Sequence, residues 1–172
     1  MRIGFVVVPM AMLLASCASM HGGPRAVAEL KATAGNNASG AVTFAQSGNK
    51  VIVSGEVRGL KPNAQHGFHI HDKGDCSAPD AMSAAGHFNP DGKSHGEMGH
   101  APHHAGDLGA LKSDANGVAK FSYEDDAISV GSGAANDVVG RGLIVHRDPD
   151  DFKTQPTGNS GARIACAVIT RT

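Results

Sequence analysis

The stretches "GAVTFAQ" (40–46) and "KVIVSGEVRGL" (50–60) decide the fold class of this chain. Both alternate apolar and polar side chains, which is typical of β-strands with one buried face. No ten-residue window carries a helical stripe of apolar residues. Five further segments have strand-like patterns: "VAELKATA" (27–34), "GFHIH" (67–71), "GVAKFSYE" (117–124), "VVGRGLIVH" (138–146) and "ARIACAVIT" (162–170).

The composition agrees with an all-β domain. The chain has 172 residues, of which 23 are glycine and 4% aromatic, and it has no tryptophan. This favours short strands joined by glycine-rich loops over a helical bundle. The stretches 72–110 and 147–161 are irregular, and such long loops are usually functional. We therefore expect a β-sandwich or Greek-key barrel with two functional loops. The formal net charge of -1 gives no reason to expect nucleic acid as a partner.

The N-terminus has the pattern of a secretory signal, which we assign to residues 1–17. Its apolar run, about residues 4–15, is shorter than the roughly 20 residues that a membrane-spanning helix needs. The segment "LASC" (14–17) resembles a lipobox, so that Cys17 would carry lipid. The alternative is cleavage after Ala18, which leaves no anchor. Both routes predict an exported protein, periplasmic or in the cell envelope, with a flexible leader (18–26) before the domain (27–172).

The cysteine count supports export. The chain has three cysteines, and either processing route removes Cys17 from the thiol count. Cys76 and Cys166 then remain as an even pair in an oxidising compartment, which predicts a disulfide between them. The alternative is two unpaired buried thiols.

The ten histidines are the compositional outlier. His69 and His71 lie two apart in a predicted strand, so both rings point to one face and can bind one ion. His146 ends another core strand, and such a nitrogen-rich corner suits copper or zinc. His66, three residues before His69, is expected to face away. "HFNPDGKSHGEMGHAPHHAGD" (87–107) adds five histidines, as fixed ligands or as a general metal-binding tract. The alternative for the strand histidines is a surface position at strand edges.

Five motifs in order resemble the bacterial Cu,Zn superoxide dismutases over roughly residues 27–170. They are "GFHIHDKGDC" (67–76), "GHFNP" (86–90), "HHAGDLG" (103–109), "GRGLIVH" (140–146) and "TGNSGARIACAVI" (157–169). The resemblance implies an eight-stranded Greek-key β-barrel of the immunoglobulin-like sandwich type. It also implies disproportionation of superoxide to dioxygen and hydrogen peroxide by a copper redox cycle, as protection against extracytoplasmic superoxide.

The resemblance further implies a copper and a zinc site that share one histidine. The copper ligands would be His69, His71, His87 and His146, and the zinc ligands His87, His95, His104 and Asp107. Three imidazoles and one carboxylate suit tetrahedral Zn²⁺, and four nitrogens suit Cu(II). Asp150 would join His69 and His95 through their remaining N–H groups. His100 and His103 would then be bystanders.

The same resemblance gives roles to residues around the copper. His87 would be catalytic as the donor of a proton to the second superoxide. Arg163 would attract the anionic substrate, and Thr157 would narrow the opposite side of the channel. Lys153 is either a steering lysine or a plain surface lysine.

Two other functions remain open from the sequence. One is a non-enzymatic member of the fold, such as a copper chaperone or an interaction domain, and the other is a histidine-rich metal scavenger. The sequence also leaves the oligomeric state open, with a homodimer as one possibility.

Overall fold

The computed structural model describes residues 22–172 of the chain. The predicted signal peptide with Cys17, and residues 18–21 of the leader, lie outside the described residues. The first strand begins at Arg25, so the last two residues of the predicted leader belong to the sheet. Between residues 22 and 172, no helix has the length and hydropathy to cross a membrane.

The described part of the chain is built from short antiparallel strands and a single 3₁₀ turn. The strands are β1 (Arg25–Ala32), β2 (Ser39–Ser47), β3 (Lys50–Arg58), β4 (Gln65–His66), β5 (Phe68–His71), β6 (Leu111–Lys112), β7 (Ala119–Asp125), β8 (Gly142–His146), β9 (Arg163–Val168) and β10 (Thr170–Arg171). The 3₁₀ turn spans Met82–Ala84. The predicted all-β class is confirmed.

Eight of these strands form one curled sheet. Its order is β5-β8-β9-β1-β2-β3-β7, with β10 also paired to β1, while β4 and β6 form a separate small ladder. Strand β1 turns the corner, because residues 25–30 pair with β2 while residues 31–32 pair with β9. The curled sheet has the form of a half-barrel, in agreement with the predicted superoxide dismutase barrel.

The core lies on the concave face of this sheet and follows the two-residue period of the strands. Val42 and Phe44 of β2 are fully buried, and Phe68 and Ile70 of β5 point into the same apolar cluster. Phe68 packs edge-to-face on Phe121, with ring centroids 5.5 Å apart. Because alternate side chains of a strand face opposite sides, the intervening histidines of β5 must face away from this core.

Strand β5 is nevertheless buried along its whole length. Both of its faces are covered, the inner one by the apolar core and the outer one by the two long loops. These loops run from 72 to 110 and from 147 to 162, close to the predicted 72–110 and 147–161. The polar side chains on the outer face of β5 are therefore buried between the sheet and the two long loops.

The prediction of one strand over 138–146 is wrong in its first half. Strand β8 begins only at Gly142, and residues 126–141 form a third irregular loop. Gly140 has φ 83°, which ends any extended run there. The loop is held instead by Asp137, whose carboxylate accepts hydrogen bonds from backbone N–H groups at 131, 133 and 139. Val138 is apolar because it is a buried anchor of this loop.

The predicted disulfide between Cys76 and Cys166 is formed. It joins the first long loop to β9 and spans 90 residues of sequence. A closed loop of that size stabilises a fold by about 4–5 kcal/mol in the chain-entropy model. Arg163 begins β9 three residues before Cys166, so the disulfide also fixes the first loop beside that side chain.

Candidate metal centre

Two strands and one loop bring four histidines together above the sheet. His69 and His71 lie on the outer face of β5, and His146 ends the neighbouring strand β8. His87 comes from the first long loop, where it forms an isolated β-bridge with His71. One ligand atom from each of these four residues lies within 4.8 Å of all the others. We call this buried group cluster 1.

The nitrogens that face one another in cluster 1 lack hydrogen-bond partners among residues 22–172. They are His69 Nδ1, His71 Nε2, His87 Nε2 and His146 Nε2. A buried polar atom without a partner is costly, by roughly 1–3 kcal/mol each. Four imidazole lone pairs that point into one small space are the donor set of a transition metal.

A second group adjoins the first and shares His87 with it. It consists of His87, His95, His104 and Asp107, all buried, and we call it cluster 2. Asp107 Oδ1 lies 2.8 Å from His87 Nδ1, 3.0 Å from His95 Nδ1 and 3.2 Å from His104 Nδ1. The other carboxylate oxygen of Asp107 accepts the backbone N–H groups of Gly96 and His104. These bonds leave Oδ1 free to face the three rings.

The two ring nitrogens of His87 therefore face different groups. Nε2 points into cluster 1, and Nδ1 lies beside Asp107 in cluster 2. The His87 ring lies against that of His69 at a tilt of 31°, with centroids 3.9 Å apart, and its centroid lies 5.3 Å from that of His95. A single ring with a nitrogen in each group can bridge two cations if it carries no proton.

The outward nitrogens of four other rings, those of His69, His71, His95 and His146, are each held by an acceptor. His71 Nδ1 donates to the carbonyl of Ala85 (2.8 Å), and His146 Nδ1 faces that of Gly161 (3.2 Å). Asp150 joins the two clusters, because its carboxylate lies 2.6 Å from His69 Nε2 and 2.9 Å from His95 Nε2. Such outer partners fix the ring orientation and the tautomer of a metal ligand.

The pKa values of five site residues favour the protonation states that bind metal ions. Burial lowers the pKa of His69 to about 4, and it lowers the pKa of His71 and of His146 well below the usual range. Burial opposes ionisation of Asp107 and Asp150, but hydrogen bonds from the histidines win and hold both pKa values well below normal. Metal binding requires such neutral imidazoles and ionised carboxylates.

His95 differs from the cluster 1 rings. Burial lowers its pKa, but its contacts with the carboxylates of Asp107 and Asp150 outweigh burial and raise the pKa to about 9. Asp107 and Asp150 therefore place two negative charges beside this ring. A divalent cation at cluster 2 can compensate this charge in place of the proton on His95.

A comparison with models of known protein families identifies the family of this chain. The model of the family described as copper/zinc superoxide dismutase (SODC) matches residues 38–169. This chain belongs to the copper/zinc superoxide dismutase family.

Relatives within the family cover most of the chain. A Cu-Zn superoxide dismutase of Paramecium bursaria Chlorella virus 1 is 43% identical over 76% of this chain and 71% of its own length. A Cu-Zn superoxide dismutase of Aquifex aeolicus, numbered 2, is 38% identical over 91% and 93%. Among solved structures, the crystal structure of the clock protein EA4 superposes with a TM-score of 0.78, at 34% identity and 99% coverage of each chain.

A cavity of about 600 Å³ opens onto cluster 1 of this superoxide dismutase family member. His71 and His146 lie at its base, and Thr157 and Arg163 line its sides. The Arg163 guanidinium is half-buried and donates from Nη1 to the carbonyl of Ala81 and from Nη2 to that of Ala85. Both residues to which the family resemblance gave a channel role therefore line this cavity.

The residues expected to be bystanders lie outside both clusters. The side chain of His100 is 77% exposed and lies 3.6 Å from Glu97. His103 Nδ1 donates to the carbonyl of His104 instead of facing the cluster. Lys153 lines a different groove, beside His100, and not the cavity that contains Arg163.

Sequence reasoning missed three residues that support the clusters. His66 is buried, and its Nδ1 donates to the carbonyl of His146, so it supports a cluster 1 strand end. Gly158, at φ 64°, passes so close to Asp150 and His95 that a Cβ there would collide with both. The third residue is Gln155, whose side-chain oxygen and nitrogen both form hydrogen bonds with the main chain of His95. His66 directly precedes the motif at 67–76 and Gly158 lies within the motif at 157–169, which is a weak signal for both. No motif pointed to Gln155.

Gln155 clamps the main chain of His95. Its Oε1 accepts from the backbone N–H of His95 at 2.8 Å, and its Nε2 donates to the carbonyl of His95 at 3.0 Å. The amide therefore holds the first long loop against the second at a residue of cluster 2.

We predict that Gln155→Ala releases a zinc ion loaded into cluster 2 as a probe about tenfold faster, because loss of outer partners typically costs 10–100-fold in metal affinity. The release of zinc from metal-loaded protein to a chelating dye measures this. Gln46→Ala is the matched control, since the amide of Gln46 also bonds only backbone groups, at 48, 50 and 130, away from the clusters. Equal acceleration in both variants, or none in Gln155→Ala, would contradict a specific clamp.

Proposed function

We propose that this chain catalyses the disproportionation of superoxide to dioxygen and hydrogen peroxide, with copper held by cluster 1 and zinc by cluster 2. One observation carries the proposal: the His87 ring has one nitrogen in each cluster. A general metal-binding tract has no reason to build two adjoining buried sites around one shared ring. The names of the curated relatives support the same activity.

The donor atoms support this distribution of metals. Cluster 1 offers four imidazole nitrogens, which suit Cu(II), and cluster 2 offers three imidazoles with one carboxylate, which suit structural zinc. Neither cluster includes a thiolate, because both cysteines among residues 22–172 are consumed by the disulfide. When bound, copper would accept one electron from a first superoxide and return it to a second, whereas zinc would supply fixed charge and position only.

His87 supplies one of the two protons that the peroxide product takes up in this proposal, and solvent supplies the other. Its Nε2 is buried, belongs to cluster 1 and has no hydrogen-bond partner among the described residues. This atom can hold a proton in one half of the cycle and donate it to the peroxide product in the other. Its Nδ1 stays beside Asp107, at 2.8 Å from Oδ1, so the ring keeps its position while Nε2 gains or loses a proton.

Arg163 draws the anionic substrate to this histidine cluster. It is the cationic side chain among the residues that line the cavity over His71 and His146. Its guanidinium is held by two carbonyls, so its positive charge has a fixed place at the cavity wall. Fixed charge in a cleft with low-dielectric walls raises association rates; superoxide dismutase is itself one of the established examples of this effect.

The two rival functions have less support. A non-enzymatic relative typically lacks a ligand or the channel arginine, whereas the two clusters here contain all seven proposed ligand residues and Arg163 lines the adjoining cavity. A scavenger would use His100 and His103, but neither joins a group of three or more close ligands within residues 22–172.

We further propose that the protein acts outside the cytoplasm, after removal of its N-terminal signal. The support is the signal-like sequence together with the Cys76–Cys166 disulfide, since disulfides persist in oxidising compartments. The lipobox-like "LASC" extends this proposal to a lipid anchor on Cys17.

The intact mass of the exported protein tests this. We expect a chain that begins at Cys17 with added lipid mass, and a gain of two hydrogens on reduction of the disulfide. A chain that begins after Ala18 without added mass would refute the anchor alone, and a full-length chain would refute export.

Substitution of one cluster 1 ligand tests the copper assignment. We expect His146→Ala, in metal-loaded protein, to lose superoxide disproportionation by more than the 10–100-fold that loss of an outer partner causes. Zinc content should stay near that of the unchanged protein, because His146 is not part of cluster 2. The exposed His100→Ala is the control and should keep its activity. Full activity of His146→Ala would end the copper assignment.

The salt dependence of the rate tests steering by Arg163. We expect Arg163→Ala to lower kcat/KM by roughly tenfold at low ionic strength and to flatten the decline of the rate with added salt. Lys153→Ala removes a positive charge from a different groove and should leave the slope nearly unchanged. A salt profile of Arg163→Ala that parallels the unchanged protein would rule out this role.

A further inference from the structure

Ala85 has a backbone conformation that is unusual for any residue except glycine. It lies at φ 63° and ψ -150°, directly after the 3₁₀ turn Met82–Ala84. In this region a side-chain Cβ is crowded by the backbone, so such conformers cost free energy and persist only where their surroundings enforce them. Ala85 is only partly buried and is not part of an apolar cluster, so packing of its methyl group does not explain the conformation.

The carbonyl of Ala85 connects two parts of the proposed active site. It accepts a hydrogen bond from His71 Nδ1 at 2.8 Å and another from Arg163 Nη2 at 2.5 Å. A carbonyl oxygen has two lone pairs, so one atom can serve both donors. A ligand of cluster 1 and the channel arginine are therefore joined through a single backbone oxygen.

The direction of this oxygen depends on the backbone angles of Ala85. A relaxed conformer, with negative φ, would rotate the peptide group and turn the oxygen away from at least one donor. The strained conformer is thus the one that satisfies both His71 and Arg163. These two hydrogen bonds help to keep Ala85 in the strained conformation, together with the bond from the Ala85 N–H to the carbonyl of Met82.

We propose that Ala85 is a positioning residue that makes the orientation of the His71 ring depend on Arg163. Loss of the Arg163 hydrogen bond lets the strained backbone relax, and the shared oxygen then moves away from His71. A glycine at this position would carry no strain, so its carbonyl would stay in place without Arg163. The proposal rests on the proposed function and deepens it. It explains why the proposed copper ligand His71 and the substrate-attracting Arg163 are held together.

The test is a double-mutant cycle between Ala85→Gly and Arg163→Ala, read at the His71 ring. The readout is hydrogen exchange of the His71 Nδ1–H, followed by NMR in zinc-loaded protein with copper reduced to its diamagnetic form. We expect Arg163→Ala to speed this exchange by about 5–30-fold when residue 85 is alanine. A change of this size corresponds to the release of part of the backbone strain at Ala85. With glycine at 85, we expect the same substitution to leave the exchange rate nearly unchanged.

Thermal unfolding gives an independent reading of the strain. Ala85→Gly should raise the unfolding midpoint by about 2–4 °C, because relief of strain outweighs the greater freedom of glycine in the unfolded chain. Ala84→Gly is the neighbouring control. Ala84 is fully buried against the second apolar cluster and has no positive φ, so glycine there should lower the midpoint.

Ala81→Gly separates strain at Ala85 from looseness of the whole loop. Ala81 is left-handed too, at φ 59°, but its carbonyl accepts from Arg163 Nη1 and from the backbone N–H of Ala84, and from no histidine. We therefore expect the effect of Arg163→Ala on His71 to persist in the Ala81→Gly background.

Three results would overturn the proposal: unchanged His71 exchange in Arg163→Ala, an equal effect with glycine at 85, or a lower midpoint for Ala85→Gly. None of these measurements uses catalysis, so their failure is distinguishable from failure of the proposed activity.

Discussion

The imidazole of His87 lies between two groups of buried ligand atoms, and the architecture around it keeps both of its nitrogens in use. Cluster 1 lies on the outer face of β5 and β8, whereas cluster 2 lies within the first long loop. A ring that must face both has little rotational freedom. The disulfide and the Asp150 carboxylate, which holds one ring from each cluster, restrict the loops accordingly.

This arrangement has an energetic cost in the protein chain alone. The buried nitrogens that lack hydrogen-bond partners among residues 22–172 are unfavourable without a cation. A metal that binds the folded state and not the unfolded one repays that cost, so metal binding and folding are thermodynamically coupled. The closely packed strands beneath the site, with Phe44 and Phe68 fully buried, supply stability that does not depend on the metal.

Part of the fold and the pairing of His69 with His71 were predictable from periodicity, whereas the full set of proposed ligands came from the family resemblance. The separation of two between His69 and His71 places both rings on one face of a strand, and the alternation in β2 and β3 gives the buried face of the sheet. The segment 138–141 was predicted as strand because an apolar run does not distinguish a core strand from a buried loop anchor such as Val138. Likewise, nothing local shows that Gln155 bonds the main chain of His95.

The sequence by itself determined the fold class, through the alternation along its strands, and the disulfide pair, through its cysteine count. It also determined which residue types could bind metals. Only the tertiary structure decided which nitrogen of each ring faces a cluster, and which backbone oxygen holds the other nitrogen. It also decided that the carbonyl of Ala85, in a conformation that no sequence pattern announces, serves both His71 and Arg163. These features depend on the directions of single bonds between segments far apart in sequence, and such directions are fixed only when the loops pack on the sheet.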